Sequence, residues 1–155
     1  MKNLFTAFLS MFIVACSTPE KNANSKIEIY DDSVLDIIDI YSEIEELADS
    51  ISLPEGPVWD EASQSLLFVD VMGNKLYKWN ENEGTSEYIS PSGNTGYAPN
   101  VDFGLLGANG LLIDENGDII LCQHGDRRLA KINNSSTNSP SFTTLVDNYD
   151  GGRFN

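Results

Sequence analysis

The sequence predicts an all-β chain of the β-propeller type, and three observations point there. A segment beginning Glu55-Gly56-Pro57-Val58-Trp59-Asp60 recurs as Asn109-Gly110-Leu111-Leu112-Ile113-Asp114, an offset of 54 residues. The offset is still 53 at the end of the copies, where Asn80 corresponds to Asn133. Each copy also holds short apolar or alternating runs of about 5 residues separated by turn chemistry, the pattern of consecutive strands. A fixed period of this size signals a repeat architecture, and four strands per repeat make a propeller blade.

In the first copy the strands are Glu55 to Asp60, Leu66 to Asp70 and Lys75 to Asn80, with a fourth at Ser86 to Ser90. In the second they are Asn109 to Asp114, Ile119 to Gln123 and Arg128 to Asn133, with a fourth at Ser141 to Val146. The turn Glu115-Asn116-Gly117-Asp118 separates the first two of these. Blades bury both faces against neighbours, so inner strands should be apolar and the outermost more polar, as these runs are. Two unrelated meanders of a sandwich are the alternative. The shared glycine after the first residue, the shared aspartate closing strand one and the near-equal period favour blades. Propellers close with about 4 to 8 blades, whereas residues 51–155 supply only the first two. The chain stops at Gly151-Gly152-Arg153-Phe154-Asn155 with no terminating strand in view, which suggests a fragment of a longer reading frame.

Ahead of the repeats, Met1 and Lys2 give a positive start, and Leu4 to Ala15 form an apolar run of 12 residues. A bilayer needs roughly 20, so residues 1–15 read as a signal peptide and not a membrane helix. The run ends Ile13-Val14-Ala15-Cys16, which resembles the bacterial lipobox and makes Cys16 the lipidated residue. An ordinary signal peptide with a chance cysteine is the alternative. Ser17, in place of an aspartate, suits a periplasm-facing or outer-membrane lipoprotein, held to the membrane through its lipid anchor only. Cys122 then has no partner within the chain, so burial and not a disulfide must stabilise the domain. Residues 16–26 have the small, polar composition of a flexible tether. Within 27–50, Val34, Ile37, Ile38 and Tyr41 share a helical face, which predicts a short helix from Asp32 to Ile40 capped by Asp31 or Asp32. A strand from Ser42 to Leu47 is the other possibility there.

The 24 acidic and 9 basic residues give a formal charge of -15. Such a surface repels phosphate backbones and anionic headgroups, so nucleic acid is not an expected partner. Aromatics at 10% and apolar residues at 41% exclude a disordered acidic tail. The acid excess suits calcium or a neutral polar small molecule, and equally a plain solvated surface.

At Glu55-Gly56-Pro57-Val58-Trp59, Gly107-Ala108-Asn109-Gly110-Leu111, Cys122-Gln123-His124-Gly125-Asp126-Arg127-Arg128 and Gly152-Arg153-Phe154-Asn155, the sequence resembles the SMP-30/gluconolactonase family. That family comprises six-bladed calcium-dependent propellers and includes organophosphate hydrolases of similar design. The resemblance runs from about Ile27 to Asn155 and covers roughly the first third of a family propeller. It implies a divalent metal, most plausibly calcium, with Glu55 as one ligand. It also implies that Arg153 and Asn155 lie where some members contact substrate. A calcium shell of roughly 6 to 8 oxygens, with few carboxylates, leaves charge and open positions to polarise a lactone or phosphoryl oxygen and activate water.

Strand geometry adds candidates. The start of a first strand and the end of its antiparallel partner share one edge, so Glu55 with Asp70, and Asn109 with Gln123 or His124, should form a rim. Asn109 is a substrate-binding candidate or a simple Asn-Gly turn. His124, the single histidine, is a candidate acid/base group or a structural hydrogen-bonding one. Asp70 could equally close a turn. Arg127 and Arg128 pair with local carboxylates or capture an anion, and Trp59 and Trp79 are core or blade-packing residues. Three functions compete: a lactone hydrolase acting on sugar-derived lactones, a related ester or phosphotriester hydrolase, and a non-catalytic glycan-binding propeller.

Overall fold

The computed structural model describes residues 27–99, 106–134 and 139–154. Cys16, the apolar run before it and Asn155 lie outside the described residues. Two compact units are distinguished, divided between Glu45 and Glu46.

In the first unit the expected helix is a single 3-10 turn, Asp32–Asp36. Asp31 caps it, its Oδ1 accepting from the Ser33 amide at 2.9 Å. The expected helix does not continue to Ile40, and the chain from Ser42 to Leu47 forms no strand. The reason is energetic: the β-branched isoleucines lose rotamer freedom in a helix, and aspartates offer the backbone competing bonds, as Asp39 does to Tyr41 at 2.9 Å. No residue of the turn is buried, so no apolar face offsets the nucleation cost.

The second unit holds two antiparallel four-stranded meanders. The first sheet is β1 (Pro54–Asp60), β2 (Ser65–Asp70), β3 (Lys75–Asn80) and β4 (Gly84–Ile89), in that order across the sheet. The second is β5 (Ala108–Ile113), β6 (Ile119–Gln123), β7 (Arg128–Asn134) and β8 (Ser141–Val146), again in sequence order. These are two successive propeller blades, with strand bounds within two residues of those read from the sequence. The aspartate shared by the repeats has one task in both. Asp60 Oδ1 accepts from the Ala62 amide at 3.1 Å, and Asp114 Oδ1 accepts from Asn116 and Asp118, each at 2.9 Å. Both build Asx turns between the first two strands of a blade.

Inner strands pack sheet to sheet, β1 and β2 against β5. Leu67, Val69, Val71, Leu76 and Ile89 meet Ala108 and Leu121 in one buried cluster. Leu111, Ile113, Ile119, Ile132 and Phe142 complete it from the second blade. The gap between blades is so small at Gly93 that a Cβ there would lie 2.1 Å from the Gly107 carbonyl carbon. Only glycine allows the backbones to approach this closely. On the opposite face of the first blade, Trp59 pairs in register with Leu66 and, through it, Trp79. Trp59 is therefore outside the core, 46% exposed, with its indole donating to Glu61.

The end of the described chain differs from expectation. Asn148–Tyr149 (β9) and Gly152–Arg153 (β10) form a two-stranded ladder. Its turn, Asp150-Gly151, has φ of 49° and 79°, which suits the tight hairpin that Asp-Gly favours.

Candidate functional site

Both inner strands start with an irregularity at the repeat-equivalent position. In β1 the register shifts between Glu55 and Val58, and in β5 between Ala108 and Gly110, so Asn109 is the extra residue of a bulge. Bulges re-aim side chains at the end of a sheet. Gly56, at φ +55°, lies directly against the second strand, where a Cβ would come 2.8 Å from the Asn109 carbonyl and 3.0 Å from Gly110 Cα. Glu55 and Asn109 are thereby brought to the same end of adjacent strands, and both are exposed.

The paired strand ends behave differently from these starts. Pro54 faces Asp70 and Ala108 faces Gln123, the register that the rim argument requires. Asp70, however, is buried and turns inward. Its carboxylate accepts from the Leu53 amide at 3.1 Å and the Ser52 amide at 3.3 Å. Burial pushes its pKa up, but the amides of Gly73, Leu53, Ser52 and Met72 together outweigh it and hold the carboxyl below its ordinary range. Asp70 closes a turn and anchors the entry to β1. Gln123 is likewise buried, its amide donating to the Ser92 carbonyl at 2.9 Å and its Oε1 accepting from Arg128 at 2.6 Å.

Beside Asn109 opens a cleft of about 500 Å³, walled by Cys122, Gln123, His124, Arg127, Arg128 and Phe154 among others. Asn109 and His124 therefore share one concavity, with the half-buried His124 on its wall. Among the described residues no carboxylate lines it, in a chain of charge -15. Arg127 adopts a left-handed backbone, φ 56°, which is uncommon outside glycine. Its guanidinium donates to the carbonyls of Phe154 and, at 3.4 Å, Arg153, so among the described residues it pairs with backbone.

Arg128 does pair with an acid. Its Nη2 lies 3.4 Å from Asp126 Oδ2, with both side chains almost wholly buried, and its Nη1 donates to Thr144 Oγ1 at 2.7 Å. Asp126 also accepts from the Thr95 and Tyr97 amides and from the Thr95 hydroxyl. The segment from Ser92 to Ala98 is thus fastened to the second blade. Arg128 also stacks on the Tyr97 ring, Cζ to centroid 3.9 Å. The Tyr97 hydroxyl donates to Asp147 at 2.5 Å, and the Arg153 guanidinium lies 5.7 Å from the same ring. The Tyr97 bond, followed by that from Asn148, holds the Asp147 carboxyl below its ordinary range, with Arg153 contributing at longer reach. Asp126, Tyr97 and Asp147 were not foreseen as site residues. The signal for Asp126 was its place beside two arginines in so acidic a chain.

The described residues do not by themselves fit calcium. Among them, no group of three or more His, Cys, Asp or Glu side chains converges. Glu55 offers one exposed carboxylate and Asn109 one neutral oxygen, short of the roughly 6 to 8 donors the ion takes.

A gluconolactonase of Zymomonas mobilis is 34% identical over 119 residues, which cover 77% of this chain and 33% of that protein. Regucalcin of Oryctolagus cuniculus is 65% identical over 26 residues, covering 17% of this chain and 9% of its own. The chain thus spans about a third of the length of the longer-matching relative. Among solved structures, a protein provisionally assigned as a gluconolactonase superposes with a TM-score of 0.54 at 25% identity, covering 70% of this chain and 32% of that one. A Xanthomonas campestris gluconolactonase superposes equally well, at 23% identity over 69% of this chain and 30% of its own, and supports the fold. The profile of the SMP-30/gluconolactonase/LRE-like region matches residues 53–155, and the chain belongs to that family.

Proposed function

We propose that this chain is the two-blade portion of a lactone hydrolase that opens sugar-derived lactones. The observation that carries the reading, beside family membership, is the cleft at Asn109. Its described lining holds amide, imidazole and guanidinium groups beside Cys122, Leu129 and Phe154, and among the described residues no carboxylate, although acids outnumber bases 24 to 9 in the sequence. A polyhydroxylated neutral lactone needs hydrogen-bonding donors and acceptors of this kind, and its product is a carboxylate that an acid-lined wall would repel.

In this reading Asn109 and Arg153 hold substrate oxygens, and Asn155 joins them from outside the described residues. His124, on the cleft wall, is the candidate to move a proton. Glu55 is kept as one ligand of a divalent ion, calcium by preference, whose other donors lie outside the described residues. A related ester or phosphotriester hydrolase would use the same wall with a different leaving group, and a glycan-binding ring would use it without turnover. Cys16 is proposed to carry the lipid that holds the protein on a periplasm-facing or outer membrane. Among the described residues no helix is long and apolar enough to cross one.

The test is a pH-stat assay of gluconolactone opening by a protein extended to the length of its relatives, beside the present chain. Turnover by the longer protein, and ligand binding without turnover by the two blades, is the expected pair of results. Hydrolysis no faster than the spontaneous reaction in the longer protein, with glycan binding retained, would replace the enzyme by the binding module.

A further inference from the structure

We infer that Tyr97 is a positioning residue for Arg153, and that it sets where this guanidinium points. The inference rests on the reading of Arg153 as a substrate contact. Arg153 sits on the two-residue strand β10, and both residues of that strand are exposed. A long cationic side chain on so short a ladder would sample many rotamers, and each one lost on binding costs affinity.

Tyr97 limits that freedom from a different part of the chain. Its ring lies against Arg128, Cζ to centroid 3.9 Å, and Arg128 is itself fixed by Gln123, Asp126 and Thr144. Its hydroxyl is bonded to Asp147 at 2.5 Å, just ahead of the ladder that carries Arg153. The ring is thus held at two points, by a buried cation and by an acid. Against this fixed surface the Arg153 guanidinium rests 5.7 Å from the ring centroid, within cation–π range.

The backbone is held independently. Arg127, in its left-handed conformation, donates to the carbonyls of Arg153 and Phe154. Arg127 therefore places the main chain and Tyr97 places the side chain. Such double support is what a binding group requires, because a loosely held guanidinium gives up affinity each time it is ordered. The residue was invisible to sequence reasoning, since 56 positions separate Tyr97 from Arg153.

The experiment follows the Arg153 Nε–Hε resonance of the isotope-labelled 155-residue chain, which reports the ring current of Tyr97 without any ligand. In Tyr97→Leu this resonance should move toward its random-coil position and its order parameter should fall. In Tyr97→Phe, which keeps the ring and loses the hydroxyl, the change should be smaller, and Asp147→Asn should resemble Tyr97→Phe. An Arg153 resonance unchanged in Tyr97→Leu, with the fold intact by amide spectra, overturns the inference. If Tyr97→Leu fails to fold, the same resonance in Tyr97→Phe and Asp147→Asn decides, and no change in either overturns it. Gluconolactone titration is the second arm. Perturbation of Arg153 in the wild type, with apparent Kd raised several-fold in Tyr97→Leu and partly rescued in Tyr97→Phe, is expected. A wild-type Arg153 that ignores the lactone overturns the substrate-contact reading while the ligand-free comparison still judges the positioning.

Discussion

Gly56 and Asn109 meet backbone to backbone across the seam between the two blades, with the glycine at φ +55° and its missing Cβ aimed 2.8 Å from the Asn109 carbonyl. This contact makes two residues at equivalent repeat positions, Glu55 and Asn109, neighbours in space. The period of the sequence and the composition of the site are therefore one fact. A ring of blades brings the start of every first strand to one end, and whatever polar residue each repeat carries there becomes part of one rim.

Gly56→Ala is expected to destabilise the pair of blades. The left-handed backbone alone costs an L-residue about 1–2 kcal/mol, and the added methyl would also have to push the Asn109–Leu111 backbone aside. Urea unfolding should show a lowered midpoint, and amide shifts should change at Asn109 and Gly110. A substitution silent in both measurements would mean the seam is looser than described.

The Asp126–Arg128 pair should be indispensable as a pair and dispensable as charges. Removing one partner leaves the other buried and uncompensated, which typically costs about 3–5 kcal/mol. Asp126→Ala should therefore unfold the chain or come close to doing so, with the loop at Thr95 and Tyr97 losing protection first in hydrogen exchange. Asp126→Asn combined with Arg128→Met should cost less than the sum of the single changes. A double-mutant cycle with no coupling would contradict the geometry.

How far the sequence could show all this differs from part to part. The strands were legible because apolar runs alternate with turn residues whose local chemistry is self-contained, as at Asp60 and Asp114. Glu55, Asn109, Gln123 and His124 could be put at one end of the blades by counting alone, because antiparallel register is arithmetic. The direction each side chain takes was not countable. Asp70 and Gln123 end equivalent strands, yet both turn inward to satisfy backbone and neighbour groups. Nothing local to either residue distinguishes that from facing a rim. The N-terminal helix fails for the converse reason: its periodicity is real, but no residue of the turn Asp32–Asp36 is buried.

Asp70 predicts an acid limb in the stability curve. Its carboxyl is held below the ordinary range in the folded chain, so protons bind the unfolded state more readily. The contribution is complete above the ordinary carboxylate pKa and is lost as pH falls through the lowered folded value. Asp70→Asn should be less stable than wild type at neutral pH, and the difference should shrink on acidification. Parallel urea curves for the two proteins at pH 7 and pH 3 check this; a gap that widens toward low pH would reverse the assignment.

The prediction of greatest consequence for chemistry concerns Glu55 in a protein extended to the length of its relatives. Glu55→Gln preserves shape and one carbonyl oxygen but removes a full negative charge from the proposed metal site. Affinity for a hard cation should then fall by about tenfold or more, with little effect on folding. Asp70→Asn is the internal comparison, because Asp70 is committed to the Ser52 and Leu53 amides. It should alter stability and leave calcium affinity in place. Calorimetric titration with calcium separates the two, and gluconolactone turnover at several calcium concentrations adds a second distinction. Recovery of the Glu55→Gln rate in excess calcium would assign the defect to occupancy alone. A persistent loss at saturation would mean the carboxylate also tunes the bound ion. Calcium affinity unchanged in Glu55→Gln would remove Glu55 from the metal site, and a larger loss in Asp70→Asn would require that residue to turn outward from the position found here.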